Sequence, residues 1–210
     1  MKAYIWDLDG TLLDSYKVIV DSLFDTYKEY GLVLDKDEIH KHVITYSVTS
    51  FIEHMTVQTG VSFDVMKTRY SEISEEKKKN ITLIPHAAET LSMLKENGAT
   101  NYVYTHRGKS TQSVLDRLGL ACYFEEVLTS QSGFARKPEP DAIDYLVEKY
   151  GLDKDATFYV GDRIIDMDCA KNAKVKGILF LPEQSYCVAN GSEDYIVNDL
   201  LKILNIHNSR

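Results

Sequence analysis

Cysteine is scarce in this chain of 210 residues, and its distribution excludes two classes of small protein. The three cysteines, Cys122, Cys169 and Cys187, are an odd number and include no pair at the Cys-x-x-Cys spacing. This pattern argues against a disulfide framework and against a zinc site built from paired thiolates. We therefore expect free thiols, which are typical of a reducing compartment.

Long apolar runs are also missing, although 44% of the residues are hydrophobic. No stretch approaches the roughly 18 consecutive apolar residues that a membrane-spanning helix needs. The first segment, MKAYIW, reaches Asp7 before the apolar region of a secretory signal peptide has formed. The sequence therefore predicts a cytoplasmic protein that does not bind a membrane.

Positive charge is in deficit, because 24 lysines and arginines face 32 acidic residues and leave a net charge of -8. A chain this acidic is a poor candidate for general binding to a phosphate backbone, so no nucleic-acid partner is expected. The ordinary apolar fraction indicates a globular protein, and 210 residues suffice for one full-sized domain or for a main domain with a small insert. Nothing in the sequence demands a dimer, and a monomer or weak dimer is expected.

The stretch from about Ser15 to Leu83 has the apolar spacing of helices and contains no convincing strand. Three helices are predicted: one that carries Ile19, Leu23 and Tyr27, one over Ser50–Thr59 closed by Gly60, and one over Phe63–Lys79. The polar segment Thr45–Ser50 is interpreted as a loop between two of them, and a role in substrate choice is a hypothesis for it. The stretch is therefore predicted to be a small helical insert.

The rest of the chain alternates short apolar strands with helices. Strands are predicted at Ala3–Trp6, Tyr102–Tyr104, Val127–Leu128, Thr157–Val160 and Ile178–Leu181. Helices are predicted from Pro85 to Gly98, from Ser110 to Gly119, over Asp141–Tyr150, over Ile164–Ala173, and from an Asn198 cap through Leu204. This alternation predicts an α/β fold with a doubly wound parallel sheet covered on both faces. Such sheets bind ligands at the carboxyl ends of their strands.

Acidic, hydroxyl and basic residues follow four of these predicted strands. They are Asp7 and Asp9 after the first strand, Thr105 after the second, Lys137 after the third, and Asp162 and Asp166 after the fourth. Carboxylate oxygens suit Mg²⁺, whereas a hydroxyl, a lysine and turn amides suit a phosphate group. A metal, a phosphate and a nucleophilic carboxylate together make a phosphoryl-transfer site.

These segments resemble, in order and spacing along essentially the whole chain, the four motifs of the haloacid dehalogenase (HAD) superfamily. The matching segments are Asp7-Leu8-Asp9-Gly10-Thr11, Thr105, Lys137-Pro138, and Gly161-Asp162-Arg163-Ile164-Ile165-Asp166. The insert resembles the small helical cap of the phosphoglycolate phosphatase-like branch. The resemblance implies a Rossmann-like core domain of residues 1–14 and 84–210, and a helical cap domain of residues 15–83 that closes over a small substrate.

The resemblance assigns the central chemistry to the first motif. Asp7 is the implied nucleophile, which attacks phosphorus in line and forms an aspartyl-phosphate. Asp9 is the implied general acid and base, which protonates the leaving oxygen and later activates water. Gly10, which permits close approach of the backbone, and Thr11 are assigned to phosphate binding.

The later motifs imply the groups that hold the phosphate. Thr105 would donate its hydroxyl to the transferring phosphoryl group, with help from the backbone amide of His106. Lys137 would neutralise charge on the phosphate and on Asp7. His106 and Arg107 flank this site and are candidates for substrate contact, with a solvated loop as the open alternative.

Mg²⁺ is the cofactor that the resemblance implies. Its ligands would include the carboxylates of Asp7 and Asp162 and the backbone carbonyl of Asp9. Asp166 lies one helical turn beyond Asp162 and is also assigned to the metal site, where it would act directly, through water, or by supporting the ligands.

The predicted function is a Mg²⁺-dependent phosphatase that hydrolyses a small phosphorylated metabolite. Dehalogenases of the superfamily lack the second aspartate, which is present here as Asp9. Phosphosugar mutases of this branch often carry a histidine about ten residues beyond that aspartate, where this chain has Lys17–Val20, so hydrolysis is favoured. A mutase, a phosphotransferase to another acceptor and a non-catalytic binding protein on the same scaffold stay as alternatives.

Overall fold

A computed structural model describes residues 1–209, and their contacts divide the chain into two compact units. The first unit comprises Met1–Asp14 and the chain from Thr82 onward, and the second unit comprises Ser15–Ile81. Within residues 1–209, no helix is both long enough and apolar enough to cross a membrane.

The elements have the following bounds. The strands are β1 (Ala3–Trp6), β2 (Leu13–Asp14), β3 (Thr82–Leu83), β4 (Thr100–Tyr104), β5 (Glu126–Leu128), β6 (Thr157–Gly161), β7 (Lys176–Phe180) and β8 (Tyr195–Val197). The α-helices are α1 (Tyr16–Lys28), α2 (Lys36–Thr45), α3 (Val48–Thr59), α4 (Phe63–Lys77), α5 (Ala87–Glu96), α6 (Thr111–Arg117), α7 (Asp141–Tyr150), α8 (Ile164–Ala173) and α9 (Ile203–Asn208).

A six-stranded sheet in the order β5-β4-β1-β6-β7-β8 forms the centre of the first unit. Every neighbouring pair in it is parallel, which confirms the predicted doubly wound α/β fold. From β1 the chain passes to β4 and β5 on one side, and then returns to β6 on the other side of β1. The strand order therefore reverses between β1 and β6, and such a reversal opens a crevice at the carboxyl ends of the two strands.

The strands are short and apolar because both faces of the sheet are covered. All four residues of β1 and all five of β6 are buried, and a strand buried on both faces favours continuous apolar runs. On one face, Ile5 and Tyr159 of the sheet share a core with Ile143 of α7 and Ala170 of α8. This packing fixes the strand ends from which the candidate site residues emerge.

Several boundaries in the first unit differ from the sequence predictions. Helix α5 begins at Ala87 rather than at Pro85, because His86 adopts a left-handed conformation with φ of 65°. Asp199, not Asn198, caps the last turn-and-helix segment by accepting the Leu201 amide at 2.9 Å. Strand β8 was not predicted, since two of its three residues are exposed and leave little apolar pattern.

A two-stranded antiparallel ribbon of β2 and β3 joins the ends of the two segments that make up the first unit. Leu13 pairs with Leu83, and Asp14 pairs with Thr82. The expectation of no strand up to Leu83 was therefore wrong at its last two residues. A two-residue strand is too short to show the alternation by which strands are recognised.

The second unit consists of four α-helices, α1 to α4, around its own apolar core. That core is formed by Val20, Leu23, Tyr27, Ile39, Val43, Phe51, Ile52, Met55 and Met66. Three helices were predicted from the sequence, and α2 was missed because it buries only Ile39, Val43 and Ile44 among charged neighbours. The expected loop Thr45–Ser50 is also shorter than predicted, because Thr45 ends α2 and Val48 begins α3.

Candidate active site

The site lies where β1, β4 and β6 end side by side. The Asp7 amide donates to the Val160 carbonyl at 2.8 Å, so Asp7 is held at the boundary between β1 and β6. Asp162 follows β6 directly, and Thr105 follows β4, where its amide donates to Leu128 at 3.0 Å. The side chains of Asp7, Thr105 and Asp162 are all buried, so these groups are held away from bulk water.

The segment after β1 is a tight turn rather than a continued strand. Thr11 donates its amide to the Leu8 carbonyl at 3.1 Å, and Gly10 donates to Leu13 at 2.9 Å. Gly10 has φ of 86°, a left-handed conformation that costs little only for glycine. The buried Thr11 hydroxyl donates to Asp162 Oδ1 at 3.2 Å. The turn therefore ties the end of β1 to the end of β6.

Lys137 is the buried cation of the site, with 3% of its side chain exposed. Its Nζ donates to Asp7 Oδ1 at 2.7 Å and to Asp166 Oδ1 at 2.7 Å. The rings of Tyr104 and Tyr159 lie on it as well, each with its centroid 5.2 Å from Nζ, within cation–π range. Two carboxylates and two aromatic rings therefore hold the ammonium group in one position.

Asp166 positions Lys137 and is itself held by neighbouring groups. It occupies the first turn of α8, where it accepts the Arg163 amide at 3.1 Å in a capping-box arrangement. The Tyr159 hydroxyl donates to its Oδ1 at 3.3 Å. A Cβ at Gly161 would lie 2.4 Å from the Asp166 side chain, so this packing requires glycine there.

Three buried carboxylates meet at the site. Oxygens of Asp7, Asp162 and Asp166 all lie within 4.8 Å of one another, and all three residues are buried. Burial raises the pKa of Asp7 to about 6 although Lys137 opposes this, and the nearby Asp166 carboxylate adds to the rise. Buried carboxylate oxygens grouped this closely are ligands that suit a hard divalent cation.

The carboxylate of Asp9 does not belong to that group of three. It accepts Arg107 Nη1 at 2.6 Å instead, in an ion pair with 12% and 23% of the two side chains exposed. The Arg107 amide donates to Thr105 Oγ1 at 3.1 Å, so the pair stands beside the buried hydroxyl. Arg107 Nε is buried and has no hydrogen-bond partner among the described residues.

His106 is turned toward the Lys137 segment. Its Nε2 accepts the Lys137 backbone amide at 3.0 Å, so the proton of the neutral ring resides on Nδ1. Burial, together with the charges of Lys137 and Arg136, lowers the pKa of His106 to about 3. Burial alone would lower the pKa of Lys137, but Asp166 and Asp7 outweigh it and raise that pKa above its ordinary value. At neutral pH the site therefore holds a neutral imidazole beside a charged lysine.

Sequence reasoning named most of these residues but missed three contributions. Two of them are the contacts of the Tyr104 and Tyr159 rings with the Lys137 ammonium group. The third is the hydrogen bond by which His106 holds the Lys137 backbone amide. Tyr104 directly precedes Thr105, and a bulky aromatic residue at the end of a central strand is the only sequence signal available for it. The bond between His106 and Lys137 joins residues 31 positions apart and leaves no local pattern.

Comparison with known proteins defines the class. The family model described as haloacid dehalogenase-like hydrolase matches residues 4–180. The chain belongs to the haloacid dehalogenase-like hydrolase family, which confirms the resemblance seen in the motifs.

Curated relatives and a solved structure cover nearly the whole chain. Pyrophosphatase PpaX of Oceanobacillus iheyensis is 25% identical over 98% of this chain and 96% of its own. The phosphoglycolate phosphatase of Pasteurella multocida is 28% identical over 96% of each chain. The crystal structure of a predicted phosphoglycolate phosphatase from Haemophilus somnus has a TM-score of 0.89 at 26% identity, covering 99% of this chain and 98% of that one. These relatives are named as phosphatases, which confirms the predicted class of enzyme.

Proposed function

We propose that the protein is a Mg²⁺-dependent phosphatase that hydrolyses a small phosphorylated metabolite through an aspartyl-phosphate on Asp7. The observation that carries the proposal is the direct contact of Asp7 with Lys137 at 2.7 Å, beside two further buried carboxylates at the switch point of the sheet. An isolated structural ion pair would not need the two extra acids. A phosphoryl group bound by Lys137 and a divalent cation bound by the carboxylates would together account for this set of charged residues.

The residues divide the reaction between them. Asp7 attacks phosphorus in line, the bond to the leaving oxygen breaks, and the phosphoryl group passes to the Asp7 carboxylate. Asp9 gives a proton to the leaving oxygen, then accepts one from the water that hydrolyses the aspartyl-phosphate. Lys137 neutralises the phosphoryl oxygens, and the Thr105 hydroxyl donates a hydrogen bond to them. Asp166 keeps Lys137 in place through the 2.7 Å ion pair.

Mg²⁺ fits the oxygen ligands that the chain offers. Asp7 and Asp162 would hold it together with the backbone carbonyl of Asp9, while Asp166 acts from behind through Lys137. When bound, the cation would draw charge from the phosphoryl oxygens and offset negative charge on the carboxylates that hold it. Metal binding would also favour the ionised form of Asp7, whose pKa is raised to about 6 by burial.

The names of the relatives suggest the first substrates to try. The curated relatives include a pyrophosphatase and phosphoglycolate phosphatases. Inorganic pyrophosphate, phosphoglycolate and a panel of sugar phosphates are therefore compared by kcat/KM. The proposal places this activity in the cytoplasm, in a monomer or weak dimer.

Release of inorganic phosphate tests the proposal. The wild-type protein with Mg²⁺ is expected to hydrolyse p-nitrophenyl phosphate, and EDTA is expected to suppress this activity. Asp7→Asn removes the nucleophile and is expected to abolish turnover, while Asp144→Asn, which alters an exposed acid in an ion pair with Lys154, serves as the matched control. Full activity in EDTA, or in Asp7→Asn, contradicts the proposal. A mutase would interconvert phosphosugars without releasing phosphate, so the same assay separates the two.

A further inference from the structure

Two cations stand at this site, and they contact different carboxylates. Lys137 contacts Asp7, the proposed nucleophile, and Asp166. Arg107 contacts Asp9, the proposed acid, through Nη1 at 2.6 Å. The lysine therefore belongs to the side where the phosphoryl group is transferred, and the arginine belongs to the side where the leaving group departs.

The guanidinium of Arg107 retains a donor without a partner. Its Nε is buried and makes no hydrogen bond to any described residue. Only 12% of the Arg107 side chain is exposed, so bulk solvent does not readily supply the missing partner. Buried donors are nearly always satisfied, and an exception near a site calls for a ligand or water as its partner. A guanidinium presents its donors as a planar fork that matches carboxylate and phosphate oxygens.

From these two observations we propose that Arg107 binds a second anionic group, carried by the leaving group of the substrate. This inference rests on the proposed function, because the leaving group is located by the role of Asp9. A leaving group that receives its proton from Asp9 lies next to the guanidinium that contacts Asp9. The substrates selected are then phosphate esters or anhydrides with a carboxylate or phosphate close to the scissile bond, and neutral leaving groups are disfavoured.

The competing explanation is that Arg107 only orients Asp9. Both explanations predict lower activity when the arginine is lost, so total activity does not separate them. A positioning role acts on every substrate alike, whereas contact with a second anion acts only on substrates that have one. The ratio of kcat/KM between two matched substrates therefore decides the question.

The experiment compares phosphoglycolate with ethyl phosphate, which has a similar carbon skeleton without the carboxylate. Inorganic pyrophosphate serves as a third substrate, in which phosphate replaces the carboxylate. The variants are Arg107→Met, Arg107→Lys and the control Lys109→Met, which removes an exposed cation from the same loop. Circular dichroism and urea denaturation establish that each variant is folded.

Wild type is expected to prefer phosphoglycolate over ethyl phosphate. A charge-assisted contact of this kind corresponds to roughly a 10- to 100-fold change, so Arg107→Met is expected to reduce the preference by about that factor. Arg107→Lys, which keeps the charge but not the fork, is expected to retain part of the preference, and Lys109→Met all of it. A similar loss with pyrophosphate extends the contact to phosphate, while a loss confined to phosphoglycolate restricts it to carboxylates.

Two results overturn the inference, and they are distinguishable. If wild type hydrolyses these substrates and Arg107→Met lowers every kcat/KM equally, the arginine orients Asp9 and does not bind a second anion. The proposed function stands in that case. If wild type hydrolyses none of the three substrates nor p-nitrophenyl phosphate, the proposed function fails and the inference fails with it.

Discussion

Replacing Lys137 by methionine removes the only ammonium group that contacts Asp7 and Asp166 among the described residues. Methionine has a similar length and adds no polar atom, so the substitution removes charge with little change in volume. The side chains of Lys137, Asp7 and Asp166 are 3%, 10% and 1% exposed. The carboxylates thus lose their partner in a place where water cannot replace it.

The cost of this change follows from the geometry. At 2.7 Å, and with an effective dielectric constant of about 20, each ion pair has a gross Coulomb energy of about 6 kcal/mol. Desolvation of the buried groups offsets much of it, and removal of one partner from a buried pair costs about 3–5 kcal/mol. We expect the metal-free Lys137→Met protein to lose about that much free energy of unfolding.

Urea denaturation with and without Mg²⁺ measures the effect. Trp6, the single tryptophan, is fully buried and donates to Asn101 at 2.9 Å, so its fluorescence reports loss of the first unit. The control is Lys154→Met, which breaks a half-exposed pair with Asp144 and a hydrogen bond to the Ala173 carbonyl, and is expected to cost about 1 kcal/mol. Mg²⁺ at about 100 times its Kd stabilises a protein by about 2.7 kcal/mol. Mg²⁺ is expected to raise the free energy of unfolding of Lys137→Met more than that of wild type, because carboxylates that have lost their lysine partner bind a cation more strongly.

The result that refutes this reasoning is a metal-free Lys137→Met protein within about 0.5 kcal/mol of wild type. Such stability would mean that the carboxylates are not held ionised around the lysine. Equal losses in Lys137→Met and Lys154→Met would lead to the same conclusion, since the Lys137 pairs are buried and the Lys154 pair is half-exposed.

Three further outcomes are expected. Gly161→Ala places a Cβ 2.4 Å from Asp166, so it should displace that carboxylate and lower both the melting temperature and kcat; an unchanged kcat would contradict the packing. His106→Leu removes the acceptor of the Lys137 amide and should lower kcat about 10-fold or more, while His106→Gln restores an acceptor and should recover part of it, as steady-state kinetics would reveal. The folded-state pKa of Asp7, about 6, lies above its unfolded value of about 3.8. The folded metal-free protein therefore binds the extra proton, and the Asp7 contribution to stability should fall as pH rises from about 4 to 6. The urea stability of wild type relative to Asp7→Asn should therefore fall over that window, and a difference that does not change with pH would refute the assignment.

The candidate site was largely predictable because its residues follow strand ends. Asp7 and Asp162 come directly after apolar runs, and parallel strands bring their carboxyl ends to the same edge. The orientation of Asp9 was not predictable in the same way, because β1 ends at Trp6 and the chain turns at Gly10. The direction of a side chain after a turn depends on its tertiary partner, which for Asp9 is distant in sequence.

Contacts between loops were not predictable from the sequence. Arg107 and Asp9 are 98 positions apart, and no periodicity or spacing relates them. Helix α2 was missed for a different reason, since its few buried residues give a weak apolar stripe and its cap, Asp35, is one of many acids in that stretch. The sequence thus predicts which elements meet at the site better than it predicts which side chains pair there.

Direct detection of a phosphorylated Asp7 tests the central claim most directly. Wild-type protein with Mg²⁺ is mixed with a substrate that it turns over, quenched in acid within the first turnover, digested, and analysed by mass spectrometry. The account predicts one added phosphoryl group on the peptide that contains Asp7, absent when EDTA is present and absent from Asp7→Asn. Turnover with no phosphorylated peptide, or with the phosphoryl group on another residue, would contradict it.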